Sequence, residues 1–273
     1  MNASKGRVFY YHADASPIGG RFTLPIEQVV PSHGSSSLGQ AGGYAASSVS
    51  SYRLGSLVSF KHAYSEIRGE KDKTSGSWTT RVTSIVEGLN VLDTVMADHV
   101  VATLVVEHPS NGGHPRVSFA GSRFENLCIK GVKVTPVLNK SLISPHQEGQ
   151  FPAMAVADDG NFTSRAIGQI QKVTKAKGAP NWLQERYAWV QSNQTLKQKG
   201  CVLCSLVDEV QGAKPGSSFG HVVQVPDFGN IFLSELVTDR HAFRLTMIRM
   251  EMGCDNEGDI SIGTGDSNGY PIP

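Results

Sequence analysis

Cys201 and Cys204, which are separated by two residues, have the spacing most typical of a chemical site in this chain. Two thiolates at this spacing can bind zinc or act as a redox pair where the backbone turns. A structural zinc site takes four ligands, and the sequence has no second pair at comparable spacing. If the segment is a strand, the two thiols point to opposite faces and cannot act together. We therefore favour ordinary buried cysteines, with a metal site or a disulfide as the alternative.

Three aromatic residues, Trp182, Tyr187 and Trp189, lie in a segment whose apolar residues recur at helical spacing. Such a stripe is most often the face that packs a helix onto the protein core. The alternative is that these rings line a cavity for a small apolar ligand. They are the candidate ligand-lining residues of the chain.

Other residue types and spacings in the sequence give no firm indication of a catalytic or cofactor-binding site. The nine histidines are scattered through the chain, and their positions alone identify no catalytic group. No glycine-rich loop has the spacing that binds nucleotide phosphates. A pair of catalytic carboxylates can come from any two strands, so spacing does not identify one. The sequence predicts no cofactor and identifies no catalytic residue.

The composition limits the classes of partner. Hydrophobic residues make up 39% and charged residues 18% of the 273 residues, as in folded globular proteins. The formal net charge is +1, which argues against non-specific nucleic-acid binding. No window reaches the roughly 18 apolar residues of a membrane span. The first residues lack the basic and apolar regions of a signal peptide, so the cytoplasm is the expected compartment and non-classical export the alternative.

The elements that must position any site are mainly strands. Residues 78–90 and 99–107 alternate between two faces, as a pleated strand requires. The 29 glycines, with many serines and threonines, indicate tight turns between short strands. Helical patterns occur at 163–177 and 181–198. We predict a mainly β fold of antiparallel sheets, sandwich-like or barrel-like, with one helical insertion around residues 163–198.

The chain divides into three parts by pattern. Residues 1–140 form a β-rich part, and residues 141–200 a helical connection packed on the sheet. Residues 201–273 return to strands and complete the same domain. The last stretch, from about residue 255, is polar and rich in glycine, and a flexible tail is expected there.

Several blocks together carry a resemblance to known sequences. They are WTTRVTSIVEGLN at 78–90, ADHVVA at 97–102, GSRFENLCIKG at 121–131, and the stretch 219–253. As a set they resemble a group of uncharacterised bacterial proteins with no assigned activity. The resemblance covers most of the chain and implies a bacterial origin. It implies no catalytic or binding residue.

Three functions are compatible with these observations. Many strands, near-zero charge and no catalytic motif favour a non-catalytic structural protein that assembles with itself, because sheet edges can pair between subunits. A module that binds a small molecule or lipid is the first alternative, and a hydrolase whose site is not visible in sequence is the second. The expected partner is a second copy of the chain.

Overall fold

The computed structural model describes residues 8–139, 154–155, 160–192, 201–214, 216–239, 242–253 and 255–272. Most of these residues are in strands. In the first half of the chain the elements are β1 (Val8–Tyr10), β2 (Ala13–Phe22), β3 (Gln28–His33), β4 (Ser36–Ser37), β5 (Gly43–Leu54), β6 (Val58–Lys71), β7 (Trp78–Val91), β8 (Val95–His108), β9 (Arg116–Ser118), β10 (Arg123–Glu125), β11 (Cys128–Ile129), β12 (Val132–Lys133) and β13 (Thr135–Leu138). The second half contains β14 (Met154–Ala155), α1 (Gly160–Thr174), α2 (Asn181–Ser192), β15 (Val202–Ser205), β16 (Val207–Gln211), β17 (Ser218–Phe219), β18 (Val222–Val225), β19 (Gly229–Thr238), β20 (Phe243–Met252), β21 (Gly258–Ser267) and β22 (Tyr270–Ile272).

The first large sheet, here called the meander sheet, is built on β5, β6, β7 and β8. These four strands pair antiparallel in chain order, and β11 and β12 continue the sheet beyond β8. The short strands β9 and β10 also pair with β8, and β14 pairs with β9. The alternation predicted for residues 78–90 is present, because every second residue of β7 from Trp78 to Val86 is buried.

The second large sheet has the strand order β17-β18-β19-β20-β21-β2-β3, with β15 on β19 and β4 on β2. It joins the two ends of the chain, because β2 lies directly beside β21. The flexible tail predicted from about residue 255 is wrong, since β21 is a central strand between β20 and β2. After β21, the last strand, β22, pairs with β1.

The glycines of β21 explain why its sequence resembles a tail. A Cβ atom on Gly265 would lie 2.9 Å from Cγ1 of Val82 on β7, closer than real Cβ contacts. Gly263 has a φ of 61°, and a Cβ atom there would lie 3.5 Å from Cγ1 of Val100 on β8. These glycines let β21 approach the meander sheet, and a strand with larger side chains would hold the two sheets apart.

The two large sheets stack face to face. Strands β2, β20 and β21 contact β6, β7 and β8, and one cluster of buried apolar side chains fills the space between them. The fold is therefore a mainly antiparallel, sandwich-like β structure, as predicted.

Both helices lie within residues 160–192, where the helical insertion was predicted, while residues 193–198 lie outside the described part of the chain. They cover the face of the second sheet that points away from the sandwich core. A separate cluster holds them there, formed by Ile170, Val173, Leu183, Tyr187, Val190, Leu203, Phe219, Val222 and Phe232. Neither described helix has the length and apolar character needed to cross a membrane.

Candidate functional site

The edge of β5 is the longest unpaired strand edge among the described residues. β5 pairs with β6 along one side, and no described strand hydrogen-bonds to its other side, here called the β5 edge. None of the 12 residues from Gly43 to Leu54 is fully buried. β3 and β4 pack against the inner face of this hairpin, where the rings of His33 and Tyr52 lie 4.0 Å apart. Those contacts leave the β5 edge open to another strand.

The β5 edge has few of the features that keep edges from pairing; one is an irregular backbone at Ser51, where φ is 43°. Charged side chains, prolines and bulges normally protect an exposed edge. Residues 43–52 carry no charge and no proline, and Arg53 is the one charged residue in the strand. By contrast, the edge strand β3 contains Pro31, and the pairing of β2 with β3 is irregular between Ile18 and Gly20. The edge strands β12 and β17 have only two residues each.

A row of titratable side chains crosses the outer face of the meander sheet and stops at β5. His62, Glu87, His99 and Glu125 lie opposite one another on β6, β7, β8 and β10. The Glu87 carboxylate is 3.9 Å from His62 Nδ1 and 3.9 Å from His99 Nε2, and His99 Nδ1 is 2.7 Å from Glu125 Oε2. The next residue in the row, on β5, is uncharged Ser50. Charges therefore lie on the inner strands and leave the edge neutral.

Arg123 orders the far end of this row. Its Nε donates a hydrogen bond of 2.7 Å to Glu125 Oε1. That hydrogen bond, with His99 nearby, holds the pKa of Glu125 below its ordinary value. The carboxylate thus stays ionised and can accept a hydrogen bond from His99.

A polar cleft of about 360 Å³ lies at the end of the second sheet. His12, Asp14 and Asp266 line it and place one potential metal-ligand atom each within 4.8 Å of the others. These are donors that a divalent cation can use. However, Arg244 Nη2 lies 3.2 Å from Asp266 Oδ2, and Ser37 donates a hydrogen bond to Asp14. Arg244 already neutralises part of the negative charge that would attract a cation.

The two cysteines occupy different environments, and both are free thiols. Cys204, on β15, is completely buried in the core between the two sheets, and burial raises its pKa to about 12. Cys201 precedes β15 and lines the polar cleft. Burial, with the charge of Asp239, raises its pKa as well. Both thiols are therefore protonated and weakly nucleophilic near neutral pH.

The three candidate ligand-lining aromatics do not line one cavity. Tyr187 is fully buried beneath α2. Trp182 and Trp189 are half-buried and pack against the cluster under the helices. Trp182 also meets the ring of Phe232 edge-on at 6.4 Å and lines a surface groove beside Gly229. Trp182 therefore lies where a ligand could reach it, whereas Tyr187 does not.

A buried hydrogen-bonded chain lies under α2, which sequence reasoning did not predict. Tyr187 Oη lies 2.9 Å from His221 Nε2 and donates to Glu235 Oε1 at 3.3 Å. Tyr187 has only one hydroxyl hydrogen, so His221 must carry its proton on Nε2 and donate it to Tyr187. His221 Nδ1 is then an acceptor, and it has no partner among the described residues.

Two arginines bridge two carboxylates at the border of this chain. Arg186 Nη1 lies 2.7 Å from Glu251 Oε1, and its Nη2 lies 3.4 Å from Glu235 Oε1. Arg249 pairs with the same two carboxylates, at 3.7 Å from Glu235 Oε2. The Arg186 guanidinium also stacks 3.9 Å from the centre of the Phe232 ring. Two positive and two negative charges cancel, which suits a structural network that fixes α2 on the sheet.

His221 predicts a pH dependence of stability. Burial, with a contribution from Arg186, lowers its pKa to about 3, whereas in the unfolded chain it titrates near 6.5. Between these values the unfolded state binds more protons, so stability falls as the pH decreases. We expect wild type to lose about 2 kcal/mol more than His221→Gln in the free energy of unfolding between pH 7 and pH 5. Urea titrations at both pH values measure this, and equal losses would contradict a buried neutral His221.

Comparison with known proteins identifies a family. The family model described as "Domain of unknown function (DUF8256)" matches residues 9–239. No curated protein and no solved structure matches the chain. The matched range includes the β5 edge, both helices and the buried network, and it ends before β20 and β21. The chain belongs to the DUF8256 family.

Proposed function

We propose that the protein is a non-catalytic structural protein that assembles with itself through the β5 edge. The observation that carries this proposal is the combination of length, exposure and neutrality in β5. An edge of this kind is a template for a further strand, and proteins that must stay monomeric normally protect it. The family match supports no activity that would compete with this proposal.

A second copy of β5 is the proposed occupant of the edge. Two identical strands that pair antiparallel about a twofold axis satisfy both edges at once, which is the geometry of a closed dimer. Two 12-residue strands can form on the order of ten backbone hydrogen bonds. Because residues 43–52 are uncharged, pairing of two copies brings few like charges together. The two meander sheets would then form one continuous sheet.

The bacterial origin implied by resemblance, the cytoplasmic location and the hydrolase alternative remain predictions. No described group of residues supports a specific hydrolytic mechanism. The ligand-binding alternative has its own structural support, from a cavity that does not involve β5.

Size-exclusion chromatography with light scattering tests the proposal on the full chain. We expect a particle mass that is a multiple of the 29.3 kDa chain and that decreases on dilution. Electron microscopy of the same fraction would distinguish a closed dimer from a filament. A mass of one chain at every concentration would refute self-assembly.

A further inference from the structure

A small apolar cavity opens at one end of the interface between the two large sheets. Its volume is about 290 Å³. The meander-sheet side contributes apolar side chains from β11, β12 and the residue that follows, and the second sheet contributes two valines of β18. These residues are Ile129, Val132, Val134, Val223 and Val225. The cavity therefore continues the sandwich core to the surface, at the lower end of the size range of small-molecule sites.

The polar residues that line this cavity are lysines, a serine and a glutamine. Lys130 and Lys214 are exposed, and neither forms an ion pair within the part of the chain described here. Lys130 Nζ donates a hydrogen bond of 3.2 Å to the carbonyl of Pro226, which holds this side chain across the rim. Ser217 and Gln224 add neutral hydrogen-bonding groups, and the lining contains no acidic residue. The charged residues that line the cavity are thus both positive.

We propose that this cavity binds a small amphiphilic carboxylate, with its apolar tail between the valines and its carboxylate at Lys130 and Lys214. An apolar interior accounts for the tail, because burying apolar surface drives such binding. Two ammonium groups at the rim, neither of them in an ion pair with a described residue, account for the anionic head, because charge-assisted hydrogen bonds to a carboxylate are stronger than neutral ones. A neutral apolar ligand would leave both lysines unused, and an amine would be repelled.

The surroundings of the cavity limit the length of the tail. A neighbouring groove, lined by Trp182 and Phe228, shares Ser217, Gln224 and Val225 with the cavity. A tail that exceeds 290 Å³ would extend along this groove towards Trp182. Carboxylates with medium-length chains fit this arrangement better than full-length fatty acids.

Isothermal titration calorimetry with straight-chain carboxylates of increasing length, each matched by its primary alcohol, tests the proposal. We expect carboxylates to bind roughly tenfold more tightly than alcohols of equal length. In the double variant Lys130→Met, Lys214→Met this preference should disappear, while binding of the alcohols stays. The control variant Lys73→Met, Lys172→Met has the same net charge and should keep the preference.

A variant that fills the cavity tests the role of the apolar tail independently of the role of the carboxylate head. Ala213→Phe places a ring at the cavity wall and should abolish binding of both ligand series, with folding checked by circular dichroism. No binding to wild type, equal affinity for carboxylates and alcohols, or a preference that survives loss of both lysines would each overturn the proposal. Because the site is remote from β5, a monomeric edge variant should bind as wild type does.

Discussion

Replacing Ala46 and Ser48 together by lysine is expected to convert the assembly into single chains. Both side chains are exposed on β5 and share the outer face of the meander sheet, so lysines there remain solvated in the monomer. In the paired state four added charges would lie in one strand-to-strand interface, where like charges oppose pairing. We expect the dissociation constant to rise at least about tenfold, equivalent to roughly 1.4 kcal/mol, in sedimentation or light-scattering titrations.

The matched control replaces the same residues by threonine. Ala46→Thr, Ser48→Thr adds β-branched side chains that favour strands and carry no charge. This variant should assemble at least as well as wild type, and both variants should unfold at similar urea concentrations. If the lysine variant kept the wild-type mass at all concentrations, the β5 edge would not be the interface.

Replacing Arg186 by methionine is expected to produce the largest loss of stability. Arg186 bridges Glu235, whose side chain is 4% exposed, and Glu251. Without it, the partners of the Glu235 side chain among the described residues are Tyr187 at 3.3 Å and, in a longer contact, Arg249 at 3.7 Å. Removing one partner of a buried ion pair leaves an uncompensated charge, which costs about 3–5 kcal/mol. Chemical denaturation at neutral pH measures the change in the free energy of unfolding.

The control for this prediction is an exposed ion pair on the same sheet. Arg244 pairs with Asp266 at 3.2 Å, but its side chain is 63% exposed. Arg244→Met should therefore cost no more than about 1 kcal/mol. Adding Glu235→Gln to Arg186→Met should recover part of the loss, because it removes the stranded charge. Equal effects of Arg186→Met and Arg244→Met would contradict a buried structural network.

The strands with regular alternation could be predicted from sequence, and the glycine-rich strand could not. β7 buries every second residue from Trp78 to Val86, and β8 buries a continuous, mostly apolar run from Val100 to Val106; both are local signals. In the sequence, Gly263 and Gly265 of β21 indicate a loose segment. The structure shows that these glycines pack against Val82 and Val100. The strand conformation of β21 depends on pairing with β2, more than 200 residues earlier in the chain. A single sequence carries no record of such pairing.

The candidate sites also depend on contacts between distant segments, which a single sequence does not show. The neutrality of β5 is visible in the sequence, but only the strand order shows that β5 is an edge. Tyr187 belongs to an aromatic stripe that indicated either helix packing or a ligand site, and its side chain is buried. Its partners His221 and Glu235 are 34 and 48 residues away on other elements, so no local pattern connects them. Contacts between distant segments therefore determine the network as well as the edge.

Hydrogen exchange of the β5 backbone amides tests the central claim most directly. In a strand that pairs on one side only, alternate amides point to β6 and the others point to water. In the assembled protein we predict that both sets of amides from Gly43 to Leu54 are protected, and that one set loses protection in the Ala46→Lys, Ser48→Lys monomer. An alternating pattern in wild type under conditions where a multimer is present would contradict pairing through β5.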